Sequence, residues 1–343
     1  MSVPYYANAP MPNTNARQVA TPIRLPSTAL LTIDSEDRYK DYAEARAKQT
    51  SPYNFAISKS ESLMNGFMTR IGISEVVFPW TVPNINLKTQ DIFVSSINGA
   101  GDPSDAIITL PAGFYTPSQI ATSLSSLISA YLVLQGDAPA SFVCAYGLGD
   151  LPQFSFTYTG TGVLILEPMV PNSADYPYGP GAKQLYDILG LGGFGGTGTS
   201  ITATATIGQS TLCQAIRYVD IVCNQLTNSQ AQKDQTSQRT VRDMLCRVYI
   251  AGSPTTQSTV LPSSVGFVPT GCAPTVIYRN FTMPKQIQWI PNQNIPGFLQ
   301  FQVYDDAGDL LEESIPVVVN AGPTGFNGYG FTDWSMTMLV SEV

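Results

Sequence analysis

The sequence predicts an all-β fold, a two-layer β-sandwich that carries a smaller α+β insertion domain. Three observations predict it. Eight short segments, at 29–35, 52–58, 67–78, 216–223, 243–250, 276–290, 298–304 and 333–341, read as strands, and those at 53–57 and 67–78 alternate apolar and polar side chains. Turn-forming Gly, Pro, Asn and Asp separate them. The one long stretch of helical periodicity falls between the third and fourth segments, inside 88–212. Eight antiparallel strands in about 190 residues is the size of a single jelly roll, in which two sheets close over one core.

Taken in order, residues 1–28 hold prolines at 4, 10, 12, 22 and 26, no acidic residue and no periodicity, and read as an extended arm. Strands follow at Thr28–Ile33 and Tyr53–Ile57. Phe67–Phe78 alternates until Val76-Val77, and Pro79 and Pro83 end it, because proline cannot donate to a ladder. Residues 88–212 form the expected insertion. It begins with short strands at Asp91–Ser95 and Ala106–Leu110. Thr116-Pro117-Ser118-Gln119 is a capping box with proline at the first helical position, and Ile120, Leu124, Leu127, Ile128 and Tyr131 follow at helical spacing. Phe154–Tyr158 and Val163–Leu166 flank Gly160-Thr161-Gly162 and read as a hairpin. A short helix at Ala182–Leu189 and a Gly/Thr run close the insertion. Residues 213–343 return to the sandwich, with Asn224–Arg239 as a long polar loop, a kink at Pro284 and a turn at Asp305–Asp309. Alternate connections of a jelly roll gather at one end, which puts the insertion beside the first-to-second, fifth-to-sixth and seventh-to-eighth loops.

Composition narrows the function. The chain has 343 residues, 43% apolar and 12% charged, about half the usual charged share of about 25%. A chain this apolar is not disordered. A surface this poor in charge is one expected to be covered by other subunits. There is no histidine, which removes Ser-His-Asp and Cys-His catalysis and histidine-ligated metals. A net charge of −8 with no basic stripe argues against nucleic-acid binding. No Lys or Arg follows Lys285, whereas seven acidic residues do, and the first 33 residues carry only Arg17 and Arg24. The five cysteines, at 144, 213, 223, 246 and 272, contain no CxxC and read as buried thiols of a reducing compartment. No apolar run reaches the ~18 residues of a membrane span, and the amino terminus lacks a signal-peptide core, so the expected product is soluble and made in the cytosol.

Few residues look like chemistry. Gly190-Leu191-Gly192-Gly193-Phe194-Gly195 matches GxGxxG literally, but a helix precedes it and strand formers follow, the reverse of a dinucleotide turn. Asp34-Ser35-Glu36-Asp37-Arg38 gathers three carboxylates that could hold a cation, or could cap a turn while Arg38 reaches a distant carboxylate. Asp305, Asp306 and Asp309 lack the order of a calcium loop and read as a hairpin turn. No catalytic, cofactor-binding or metal-ligating residue is assigned, and no cofactor is expected.

The order of certain segments has a known counterpart. Ile33-Asp34-Ser35-Glu36-Asp37-Arg38, Ser51-Pro52-Tyr53-Asn54-Phe55, and Val76-Val77-Phe78-Pro79 leading to Asn84-Ile85-Asn86 come first. Leu110-Pro111-Ala112-Gly113-Phe114-Tyr115-Thr116, Tyr218–Thr227, Arg242-Asp243 and Phe298–Asp306 with Gly308 follow. Over about residues 29–340 this resembles the penton, or vertex, capsid proteins of virophages, polinton-like viruses and related large double-stranded DNA viruses. Glu36 departs from the pattern, in which a basic residue is common. The resemblance implies a single jelly roll whose copies form homopentamers at the vertices of an icosahedral shell. Its implied partner is a double-jelly-roll major capsid protein, with minor capsid proteins or a vertex fibre as further contacts. The expected location is the virion, after assembly in the host cytoplasm. The alternative is a receptor- or glycan-binding module, with the ligand at insertion loops such as Tyr176-Pro177-Tyr178-Gly179. A carboxylate-dependent hydrolase is the third reading.

Overall fold

The structure is a computed structural model that describes residues 28–39, 51–58, 68–136, 140–148, 152–192, 198–211, 213–227, 232–235, 240–250, 275–281, 286–293, 298–315 and 332–342. In chain order the strands are β1 (Thr28–Asp34), β2 (Asn54–Ser58), β3 (Met68–Trp80), β4 (Asp91–Ile97) and β5 (Pro103–Thr109). Helix α1 (Pro117–Leu134) precedes β6 (Ser141–Leu148), β7 (Pro152–Thr159) and β8 (Val163–Glu167). Helix α2 (Leu185–Ile188) precedes β9 (Thr199–Ile201), β10 (Thr206–Ile207), β11 (Tyr218–Val222), β12 (Gln232–Gln235) and β13 (Thr240–Asp243). The chain ends with β14 (Cys246–Tyr249), β15 (Thr275–Asn280), β16 (Gln286–Gln293), β17 (Phe298–Tyr304) and β18 (Ser335–Glu342). The fold is mostly β, antiparallel and jelly-roll-like.

Two sheets contain the strands outside β4–β10 and β12–β13, and one of them pairs β1 with β18. One runs β1-β18-β3-β15, with β16 also on β3; the other runs β14-β11-β17-β2. β15 and β16 are separate strands that both pair with β3, at Glu75–Trp80 and at Met68–Gly72 respectively; Pro284, the expected kink, lies outside the described residues. Inward residues alternate as the period of two demands: Ile71, Ile73, Val76, Phe78 and Trp80 on β3, Met336, Met338 and Val340 on β18, Leu299, Phe301 and Val303 on β17. The parity step between Ile73 and Val76 is a β-bulge, where the β3–β18 register shifts between Thr337 and Met338. Ser74 sits in it, donating its hydroxyl to the Thr337 carbonyl at 3.0 Å while its own carbonyl takes the Phe281 N–H.

Aromatic rings fill the space between these sheets. Phe55 of β2 stacks on Phe301 of β17 at 5.5 Å between centroids and meets Trp334 edge-on at 5.9 Å. Trp334 stacks on Phe78 of β3 at 6.2 Å. The indole is buried with its one donor used, Nε1 donating to the Pro52 carbonyl at 2.7 Å.

Strands β4 to β10 pair only with one another, in a sheet β5-β4-β8-β9 and a sheet β10-β7-β6. The expected hairpin of Phe154–Tyr158 with Val163–Leu166 is not formed. β7 pairs with β6 and β10, whereas β8 lies between β4 and β9. β6 and β8 each lie one short connection from β7, so connection length does not decide the pairing; β7 takes β6, and β8 completes the other sheet. Gly162 abuts the turn after β4, since a Cβ there would stand 1.8 Å from the Ile97 carbonyl oxygen.

Helix α1 covers the free edge of β6. Its capping box is present, Gln119 N–H donating to Thr116 Oγ1 and Thr116 N–H to Gln119 Oε1. One turn apart, Ser125 and Ser129 meet the edge backbone of β6. Ser125 Oγ accepts the Cys144 N–H at 2.7 Å and donates to the Cys144 carbonyl at 3.2 Å; Ser129 does the same with Phe142, at 3.3 and 3.1 Å. Two hydroxyls thus take the place of a neighbouring strand and blunt the edge.

The polar loop expected over Asn224–Arg239 is only partly a loop. β12 lies in it and pairs with β13, Lys233 opposite Arg242. The arm expected over 1–28 lies, apart from Thr28, outside the described residues, as do Gly193–Gly195 and Cys272. Cys144, Cys223 and Cys246 are buried free thiols, and Cys213 is buried as well. Among the described residues no helix is long and apolar enough to cross a membrane.

Two outcomes are expected. Trp334→Ala should cost about 3–5 kcal/mol in denaturant unfolding, the usual loss for a large buried aromatic. Burial pushes the Cys144, Cys223 and Cys246 thiols up to about 12, so iodoacetamide at pH 8 should leave them unmodified in native protein and label them after unfolding, as read by peptide mass mapping.

Candidate functional site

The sequence singles out two carboxylate groups, and the structure builds each into a contact between distant segments of the chain. The first sits at the end of β1, where Ser35–Tyr39 forms a 3-10 turn. Asp34 Oδ1 caps it by accepting the Glu36 N–H at 2.9 Å. Ser35 N–H donates to the Trp334 carbonyl and Ser35 Oγ accepts the Trp334 N–H, both at 2.9 Å. Arg38, 2% exposed, forms an ion pair with Asp333 and donates to the Ser35 carbonyl at 2.6 Å. The motif is therefore a clasp between β1 and the start of β18, and Arg38 reaches the distant carboxylate that the sequence reading offered as an alternative to a bound cation.

The second group is the turn after β17. Asp305 Oδ1 accepts the N–H groups of Gly308 and Asp309, at 2.8 and 2.9 Å, and Tyr304 bridges Leu310 across the turn. The other Asp305 oxygen and Asp309 both accept from Lys88 Nζ at 2.7 Å. Asp306 points elsewhere and pairs with Arg217 at 2.9 Å. Lys88 and Asp305 are 4% and 2% exposed. Burial pulls the Lys88 pKa down, but the two carboxylates outweigh it and the net shift is upward. Tyr178 lays its ring 5.5 Å from the ammonium. Tyr176, 1% exposed, donates its hydroxyl to the Lys88 carbonyl at 3.0 Å and meets Tyr178 edge-on at 5.1 Å. The 176–179 loop proposed for ligand contact thus spends its buried tyrosine on holding Lys88. The site brings the turn after β17 against Lys88, just before β4.

Asn84 is the functional residue whose role the sequence conceals. Its carboxamide, 1% exposed, donates to the carbonyls of Tyr115 and Cys213 at 2.9 and 3.1 Å and accepts the Tyr115 N–H at 2.9 Å. One side chain ties the start of 88–212, the approach to α1 and the return at 213. Cys213 adopts φ +52, a left-handed backbone that a non-glycine residue takes only when neighbours hold it there. The GxGxxG match resolves as a helix end: Gly190, at φ +77, follows α2, and a Cβ on it would lie 2.2 Å from the Gln209 carbonyl oxygen.

The outer face of the first sheet carries several exposed apolar side chains. Register places Leu30 beside Leu339, Thr32 beside Thr337, and Ser335, Val77 and Tyr278 in one row, with Pro79 and Val276 next to it. Leu30, Val276 and Tyr278 are 69%, 63% and 55% exposed. Glu75 and Asp34 are the charged residues among these rows. No metal-competent cluster of three or more His, Cys, Asp or Glu side chains occurs among the described residues.

No protein-family model matches the sequence. No curated protein matches it. Among solved structures, the crystal structure of the selenomethionine-labelled mavirus penton protein aligns with a TM-score of 0.45 and 10% identity, covering 93% of this chain and 100% of that one.

Lys88→Met should destabilise the protein by about 3–5 kcal/mol, because Asp305 and Asp309 then remain buried without their cation; the double change Lys88→Met/Asp305→Leu should recover part of it. Since the folded pKa of Lys88 lies above the ordinary lysine value of 10.5, its contribution is complete below that pH and is lost as pH rises through the folded value. Urea midpoints should therefore differ between wild type and Lys88→Met by a constant amount from pH 6 to 9 and converge in stronger alkali.

Proposed function

We propose that this chain is a structural, non-enzymatic capsid protein that assembles as a homopentamer at the vertices of an icosahedral shell and contacts a double-jelly-roll major capsid protein. In this reading the sandwich is a single eight-stranded jelly roll formed by 29–87 and 213–343, 88–212 is an inserted domain, and 1–28 is an arm that reaches neighbouring subunits. The strand orders 1-8-3-6 and 2-7-4-5, counting β15 and β16 as one, support the jelly roll: each sheet interleaves early and late strands as two linked Greek keys require. The ordered motifs that resemble vertex proteins support the family.

The observation that carries the reading is the outer face of the first sheet. It is built of Thr, Ser, Val, Leu, Pro and Tyr with few charges, and large apolar side chains stand exposed on it. A stable contact buries on the order of 800 Å² per partner and disfavours charges at its centre, where each must be desolvated. Closed rotational symmetry lets identical wedge-shaped copies use such a face and stop at a finite ring. Tyrosines at the rim add large contact area with little side-chain entropy to lose.

Light scattering or native mass spectrometry of the purified chain should give a species five times 36.9 kDa. Tyr278→Asp and Val276→Asp, both at exposed positions, should leave thermal unfolding unchanged within about 0.5 kcal/mol and weaken ring formation about tenfold or more, one unfavourable charge at a contact being worth 1.4 kcal/mol or above. A folded wild type that stays monomeric at all concentrations and is not taken into shells would sink the reading. Rings that persist undiminished in both variants would remove this face from the subunit contact.

A further inference from the structure

Between α2 and the segment that returns to the sandwich lies a cleft of about 440 Å³, within the usual range of roughly 300–1,000 Å³ for small-ligand sites. Lys183 and Gln214 line it and are linked to each other: Lys183 Nζ donates to the Gln214 carbonyl at 2.9 Å. Lys183 has no ion-pair partner among the described residues. Burial lowers its pKa against the pull of Asp306, so its charge is under-compensated where it stands. Gln214 is 5% exposed, and its Nε2 has no hydrogen-bond partner among the described residues. A buried donor left without an acceptor is uncommon in folded proteins and is open to a water or a ligand. Arg217 lines the same cleft, its Nε held by Asp306 at 2.9 Å. The hydroxyl residues Ser210 and Thr211 complete the donor wall, and Asp187 is the one carboxylate on it.

We propose that this cleft is an oxyanion site, taking a carboxylate or phosphate group of a small ligand onto Lys183 Nζ, Gln214 Nε2 and Arg217. An anion there supplies the acceptor that Gln214 lacks and the counter-charge that Lys183 lacks. Asp187 opposes it and keeps the affinity moderate. The cleft is larger than one phosphate or carboxylate group and admits a small polycarboxylate or a phosphate ester. All of its named residues belong to one chain, so the site goes beyond the assembly reading and does not depend on it.

Isothermal titration calorimetry of the full chain at constant ionic strength tests it, with inorganic phosphate in one arm, citrate in a second and sodium chloride as reference. Saturable binding of phosphate or citrate at one site per chain is expected, and the arm that binds more tightly assigns the group. Gln214→Leu should weaken that binding about tenfold or more, the worth of a charge-assisted hydrogen bond. It should also leave the melting temperature unchanged or raised, because it removes an unpartnered donor. Lys183→Met should weaken binding at least as much, and it decides the matter if Gln214→Leu fails to fold. The absence of saturable heat with both anions overturns the proposal, as does binding that survives either folded variant undiminished.

Discussion

Two β-sheets that exchange no backbone hydrogen bonds are held face to face only by what lies between them, and here the centre of that layer is the indole of Trp334. It touches Phe55 and Phe301 from one sheet and Phe78 from the other. Dispersion and apolar burial draw the rings together without choosing an orientation. Orientation comes from the polar bonds around the same residue: the indole N–H on the Pro52 carbonyl, the backbone on Ser35 in both directions, and Asp333 beside it under Arg38. A single tripeptide thus joins the first strand, the approach to the second and the start of the last.

The same economy governs the charges. The chain has few, and several of them are inside. Arg38, Lys88, Asp220 and Asp305 are all less than 5% exposed. Each is paired: Arg38 with Asp333, Lys88 with Asp305 and Asp309, and Asp220 with Arg247 in a two-bond fork at 2.7 and 3.0 Å. Such pairs are poor sources of net stability, since desolvation offsets most of their attraction. They do specify geometry, because a misplaced partner leaves a buried charge alone. Their second effect is on the outside. Ions placed internally leave the sheet faces poorer in charge than the composition alone implies, and such a face can meet another protein surface at small desolvation cost.

The segments that resemble vertex capsid proteins are largely fasteners. Ile33–Arg38 forms the Trp334 clasp, Asn84 ties the root of 88–212, Leu110–Thr116 ends in the helix cap and the Asn84 bonds, and Phe298–Asp306 carries the carboxylate that holds Lys88. Residues of this kind tolerate few replacements because each satisfies several buried groups at once. They act inside the fold, whereas Leu30, Val276 and Tyr278 stand exposed on the outer face of the first sheet.

What the sequence by itself determined is local. Alternation marked β2 and β3, and the Thr116–Gln119 box marked the start of α1, because each depends on residues within a few positions of one another. Pairing was decided only by the tertiary structure. Nothing near Val163 says that β8 joins β4 while β7 joins β6, since a strand presents the same hydrogen-bonding edge to any neighbour. Nor does anything near Asp305 say that its cation is Lys88, 217 positions away. Likewise, the chemistry of Gln214 lies in the partner its amide does not have. Such relations arise when distant segments are brought within ångströms, and a one-dimensional pattern carries no measure of that distance.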